Sequence, residues 1–312
     1  MLQKKGGADA VKFQTFKAEN LVTQQAKTAV YQKENAKYTS QYDMLKTLEL
    51  SYDDFKTLSD YAKKKDIIFL STPFDEESAA FLNSIGIPVY KIGSGEVTNL
   101  PLLKKIAGFK KPIILSTGMS SIPEIKKAVR TLIGNGTSQL ALLHCTSNYP
   151  AQIRDVNLRA MDTLKKTFKL PVGYSDHTEG IEVSLAAVAR GAVVVEKHFT
   201  LDKSLPGPDH KASSDPAELA AMIEGIRIVE TALGSADKKI LKSEVPVKKV
   251  AQKSIVALET IPAGTIVTEE MITVKRPAGG IAPADMSKVV GGKAKNTIKK
   301  DECIKWAQIS GR

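Results

Sequence analysis

The sequence holds little cysteine, little histidine and no long apolar run. Its 312 residues contain only two cysteines, Cys145 and Cys303, far apart and without CxxC spacing. That excludes a disulfide framework and a cysteine-based zinc site, and it suits a reducing cytoplasm. No apolar stretch approaches the ~18–20 residues that a bilayer crossing needs, and no basic segment leads into a short apolar core as in a secretory signal. The expectation is a soluble, cytoplasmic protein with no membrane contact. Repeats and low-complexity segments are lacking as well. What is present is globular: 42% hydrophobic and 25% charged residues, with 45 Lys and Arg against 34 Asp and Glu, a net +11. Such an excess matches an anionic ligand or nucleic acid, but clusters such as Lys63 to Lys65 read as solvated helix ends, so no nucleic-acid partner is expected.

Apolar, β-branched runs recur along the chain: the stretch ending KFQTF, then IIFLSTPF (67–74), VYKIGSG (89–95), PIILSTG (112–118), LALLHCTS (140–147), LPVGYSDH (170–177) and AVVVEKHF (192–199). Amphipathic stretches with helical spacing separate them. Continuous apolar strands alternating with helices are the pattern of a parallel sheet covered on both faces. Seven strands precede a last long helix, PAELAAMIEGIRIVETAL. A closed (β/α)8 TIM-type barrel needs one strand more, so the first strand is expected to be missing. A doubly wound open sheet competes, but polar residues at the C-terminal ends of all the strands favour a barrel mouth.

The helical pattern gives way to a charged stretch with a proline, GSADKKILKSEVPVKK, followed by short apolar pieces and Pro-Ala-Gly and Gly-Gly turns. The division expected is a barrel domain over 1–240, a linker over 241–250 and a small mixed-β domain over 251–312,.

If the strands open to one mouth, their ends share one cavity. Lys12 and Gln14 lie two apart and face one side. Thr72, Lys91, Ser94, Glu96, Ser116, Ser147 and Tyr149 sit at the ends that follow. Hydroxyls, lysines and glycine amides converging on one point describe a phosphate or carboxylate site. His177 and His198 end the last two strands, with Asp176 and Glu196 beside them. Two imidazoles on adjacent strands point to a divalent metal with open positions, a Lewis acid toward a substrate oxygen. The loop PGPDHKAS carries Asp209 over the mouth.

The segments KFQTF, STPF, YKIGSGE, ILSTGM, LLHCTSNYP, GYSDHT, EKHFTLDK, PGPDHKAS and VKRP, in this order, closely resemble the sialic acid synthases, N-acetylneuraminate synthase and its legionaminate-forming relatives. Members of that family usually begin with a strand like AEIGVNHNG, which this chain lacks. The resemblance implies a (β/α) barrel followed by a small antifreeze-like (SAF) domain, in a domain-swapped type of homodimer. The implied reaction condenses phosphoenolpyruvate with an N-acetylated amino sugar, N-acetylmannosamine in the best-known case, and releases phosphate. It places Mn2+ or Mg2+ on His177 and His198, and phosphoenolpyruvate on Lys12, Thr72, Lys91, Ser94, Ser116 and Ser175. The sugar falls to Gln14, Tyr149 and Asp209, with a hydrogen bond from Ser147 and a contact from Arg276 of the neighbouring subunit. Glu96 is the proton-transfer candidate. Two other readings stay open: a Schiff-base enzyme using Lys91, since Lys197 has the wrong parity to reach the mouth, and a sugar-binding remnant without activity.

Overall fold

The computed structural model describes residues 2–29, 38 and 40–311. Two compact units divide at Gly234 and Ser235. In the first, seven parallel strands form one sheet in sequential order: β1 (Ala10–Thr15), β2 (Ile68–Pro73), β3 (Tyr90–Ile92), β4 (Ile113–Ser116), β5 (Leu140–Cys145), β6 (Val172–Asp176) and β7 (Val195–Lys197). A helix follows every strand. Several helix starts are written in the sequence: Ser51 with Asp54, Ser121 with Glu124 and Asp215 with Glu218 each close a capping box that satisfies free backbone N–H groups,.

Side chains alternate across the strands. Val11, Phe69, Tyr90, Ile92, Leu115, Leu142 and Tyr174 turn outward and join Leu103, Ile106, Ala128 and Leu132 of the helices in one buried core. Their neighbours turn inward, and near the C-terminal ends these are polar: Lys12, Thr72, Lys91, Ser116, Ser175 and Glu196. The apolar runs therefore conceal a period of two that becomes chemical only at the mouth.

The sheet curls until its two edge strands touch: Lys12 Nζ of β1 lies 3.1 Å from Glu196 Oε1 of β7. An open doubly wound sheet holds its edges apart, so this is the TIM-type curl. Among the described residues no eighth strand joins β7 to β1, in line with the strand count from the sequence. On the outside, helix Pro216–Leu233 packs against helix Glu182–Ala189 and against the short helix Leu2–Lys5. Gly7 allows that last contact: its φ is +89°, and a Cβ there would lie 3.2 Å from Ile223,. Among the described residues no helix is long and apolar enough to cross a membrane.

The second unit has its own core of Ile255, Ile261, Val267, Ile281, Ile298 and Ile304. It is built on the antiparallel pair β8 (Ser254–Ala257) and β9 (Ile272–Lys275). The stretch expected to be a linker carries a helix, Glu244–Ala251. Pro246 sits in its first turn, where the missing N–H has no intrahelical partner to lose, so proline there is compatible with a helix and is not a breaker.

Candidate functional site

Curling brings the inward ends of the strands onto one cluster. Lys91, on β3, is 3% exposed and donates to Ser116 Oγ of β4 at 2.7 Å and to the Ile92 carbonyl at 3.1 Å. Glu196 is the counter-ion. One carboxylate oxygen meets Lys12 at 3.1 Å and accepts from Ser175 Oγ at 2.9 Å, while the other lies 3.6 Å from Lys91. Burial alone would raise the Glu196 pKa, but the ammoniums of Lys12 and Lys91 outweigh it and hold the carboxyl well below the usual range,. Burial pulls Lys91 down to about 8, with Glu196 opposing. Thr72, 2% exposed at the end of β2, has a buried Oγ1 with no hydrogen-bond partner. A buried hydroxyl without a partner is free to meet an acceptor.

The imidazoles come next. His177 and His198 have ring centres 5.4 Å apart, and Tyr149 lies against both, its ring centre 4.2 Å from His177 and 5.6 Å from His198. His177 Nδ1 is 2.7 Å from the Thr146 carbonyl. A carbonyl only accepts, so Nδ1 carries the proton and Nε2 presents a lone pair. Burial lowers the pKa of His177 against that carbonyl. Burial, together with the charge of Lys12, brings His198 down to about 3. Both rings are neutral, the state a metal requires.

An ion about 2.1 Å from a nitrogen of each ring, with each ring centre about 1.2 Å beyond, spans centres up to about 6.6 Å apart. The observed 5.4 Å falls within that reach. Among the described residues no group of three His, Cys, Asp or Glu is placed to hold a metal. Two neutral imidazoles at this separation could hold one divalent ion,. Asp209 Oδ2 lies 3.9 Å from His198 Nδ1, and burial raises its pKa to about 6, with Lys12 opposing.

A second knot surrounds Gly118, whose N–H donates to Ser94 Oγ at 2.9 Å. Ser94 Oγ is also 3.1 Å from Cys145 Sγ. A Cβ on Gly118 would lie 2.4 Å from Ser147 Oγ, 2.8 Å from Cys145 Sγ and 3.0 Å from Ser94 Oγ. Only glycine lets these three side chains close on the β4 turn.

The expected residues do not all converge. Lys12, Lys91, Ser116, Ser175, His177, His198, Tyr149 and Asp209 are joined by contacts, and Ser94 and Ser147 meet at Gly118. Gln14 shares the Lys12 face and is exposed. Glu96 is buried and bonded to Asn99 Nδ2 at 2.7 Å; burial raises its pKa. Arg276 is an exposed residue of the second unit. One expectation is corrected: Asp176 does not stand beside the imidazoles. It points to the opposite face, 3.0 Å from Lys197, because it has the other parity from Ser175 and His177. Glu196 has the parity of His198 and takes the central place. That spacing of two was the signal for it.

Comparison with known proteins shows what the chain is similar to. The model of the NeuB family matches residues 2–238, and that of the SAF domain matches residues 252–310. The chain is 49% identical to the N,N'-diacetyllegionaminic acid synthase of Legionella pneumophila, over 98% of this chain and 87% of that protein. It is 51% identical to the N,N'-diacetyllegionaminic acid synthase of Campylobacter jejuni, over 96% and 90%. The crystal structure of the N-acetylneuraminic acid (sialic acid) synthetase of Leptospira borgpetersenii superposes with a TM-score of 0.71 at 34% identity, covering 79% of this chain and 81% of that one.

Proposed function

The chain belongs to the NeuB family, and from that premise we propose that it condenses phosphoenolpyruvate with an N-acetylated hexose aldehyde and releases phosphate. The observation that carries this reading is the pair of ammoniums, Lys12 and Lys91, sharing one carboxylate, Glu196, within reach of two neutral imidazoles.

Phosphoenolpyruvate carries roughly three negative charges at neutral pH, one on the carboxylate and nearly two on the phosphate. Lys12, Lys91, Ser116 and Ser175 supply donors for it, and the unpartnered hydroxyl of Thr72 gains an acceptor. Ser94, held by the Gly118 N–H, extends the same cradle. Glu196 keeps the two ammoniums apart and charged while the cradle waits. His177 and His198 would hold a divalent ion, Mn2+ or Mg2+, which when bound supplies Lewis acidity toward a carbonyl oxygen. With that ion, the two lysines and Glu196 leave a positive charge that balances the ester.

Tyr149 walls the sugar side against both rings, and Gln14, Ser147 and Asp209 are assigned to the sugar. In the condensation, carbon 3 of the enol ester bonds to the aldehyde carbon and positive charge develops at carbon 2. Water adds there, and the C–O bond to phosphate breaks as the hemiketal collapses. Glu96, its pKa raised by burial, is assigned the proton transfer or the orientation of that water. The same reading divides the work: a condensing barrel over 1–240, a connection over 241–250 and a SAF domain over 251–312. Arg276 of that domain reaches the sugar of the neighbouring subunit in a homodimer.

N-acetylmannosamine is the simplest sugar. A second reading, a 6-deoxy diacetamido hexose, is favoured by the two legionaminic acid synthases at 49% and 51% identity. Each sugar is incubated with phosphoenolpyruvate and Mn2+, and the products are weighed by mass spectrometry. A nonulosonic acid from one sugar settles the choice, and phosphate release from neither contradicts the reading.

A further inference from the structure

Asp176 and Lys197 are the residues of β6 and β7 that point away from the mouth, paired directly across the parallel register. Both side chains are buried, 0% and 2% exposed. Lys197 Nζ donates to Asp176 Oδ2 at 3.0 Å and to the carbonyls of Thr178 and Gly180, so each of its three N–H bonds has an acceptor. Asp176 Oδ1 accepts from Thr178 N at 2.9 Å and from Thr178 Oγ1 at 2.8 Å, and Oδ2 also accepts from Ser184 Oγ at 2.7 Å. A buried ion pair adds little net stability over an apolar pair of the same shape, because desolvation offsets the Coulomb gain. A pair bonded this completely does something else: it fixes position.

Its place in the chain says which position. Asp176 lies between Ser175 and His177, and Lys197 between Glu196 and His198. Thr178, the residue after His177, is tied to Asp176 through its N–H and hydroxyl, and to Lys197 through its carbonyl. The main chain is therefore pinned immediately before and after His177 and immediately before His198. The His198 carbonyl is held in turn by Ser214 N at 2.8 Å.

We propose that the Asp176–Lys197 pair is the positioning device of the metal site, locking β6 to β7 one residue short of each imidazole and so setting the separation of His177 and His198. It rests on the reading of the two imidazoles as ligands. Neither member enters the mouth, so the pair acts on the ion without touching it. Outer partners of this kind, though they never touch a metal, govern the orientation of the ligands that do.

The test removes both charges at once, since one alone would leave its partner buried and unpaired. The full chain with Asp176→Asn and Lys197→Met is titrated, free of metal, with Mn2+ alone, and the bound ion is counted by the loss of the free-ion paramagnetic resonance signal. Thermal unfolding checks the fold, and phosphoenolpyruvate binding is measured calorimetrically in chelator. The expected result is a folded protein whose Mn2+ Kd rises about 10- to 100-fold with phosphoenolpyruvate affinity in chelator unchanged. A folded double variant that binds Mn2+ as the wild type does overturns the proposal. If the double variant does not fold, Ser184→Ala decides: it loosens Asp176 without stranding a charge, and Mn2+ affinity equal to wild type overturns the proposal while a weaker one supports it. Wild-type protein that binds phosphoenolpyruvate but no Mn2+ overturns the ligand reading of the imidazoles, and the positioning role with it.

Discussion

Lys12 Nζ and Glu196 Oε1 lie 3.1 Å apart although their strands are the two edges of the sheet. Their contact makes one basin out of a row of strand ends, and it sets one carboxylate against two ammoniums. The account rests on this double role of Glu196.

Glu196→Gln removes the counter-ion and leaves Lys12 and Lys91 facing each other. Without ligand the variant should be less stable than wild type, by up to about 3 kcal/mol, and inorganic phosphate should restore the loss. At pH 7 it should bind phosphate about tenfold more tightly, roughly 1.4 kcal/mol, as followed by calorimetry. Weaker phosphate binding would mean that Glu196 does not compete with the anion.

The lowered pKa of Lys91 sets a pH limit. It is charged well below about 8, half-charged at that value, and loses its charge as pH rises through it. Because kcat/KM reports the free enzyme, the value for phosphoenolpyruvate should fall above about pH 8. In Lys91→Arg, whose guanidinium stays charged, that fall should vanish even if the rate is lower. A profile with the same descending limb in both proteins would assign the limb to another group.

Gly118→Ala forces a methyl group into contacts of 2.4 Å with Ser147 and 2.8 Å with Cys145. The turn must shift, at a cost of about 1–3 kcal/mol in stability, and Ser94 loses its alignment. The KM for phosphoenolpyruvate should rise more than kcat falls. Steady-state kinetics showing an unchanged KM would remove Ser94 from the cradle.

How much of this was legible in the sequence differs by residue. The spacing of two between Lys12 and Gln14, Ser175 and His177, or Glu196 and His198 already sorts inward from outward groups, so the nearness of the two imidazoles and the inward turn of Lys12 and Ser175 were readable. The same rule, applied to Asp176, turns it away from the mouth; proximity to His177 in sequence concealed that. The Lys12–Glu196 contact was not readable, because it depends on how far the whole sheet curls. Nor was the Tyr149 ring against both imidazoles, which a loop conformation sets. Helix Glu244–Ala251 was missed because Pro246 reads as a breaker until its place in the first turn is known.

Arg276→Ala tests the assignment of the small domain to a neighbouring sugar. Loss of a charged hydrogen bond should raise the KM for the sugar about tenfold and leave that for phosphoenolpyruvate unchanged. An unaltered sugar KM would place Arg276 outside the site.

The central claim is that the ester and a divalent ion share one basin, and phosphorus relaxation measures it directly. With phosphoenolpyruvate and Mn2+ on the wild-type chain, the account predicts paramagnetic enhancement of 31P relaxation beyond that of a protein-free solution. The enhancement should disappear in the His177→Ala, His198→Ala double variant, which should still bind the ester through Lys12 and Lys91. Enhancement that persists in the double variant, or ester that binds the wild type without sensing Mn2+, would contradict it.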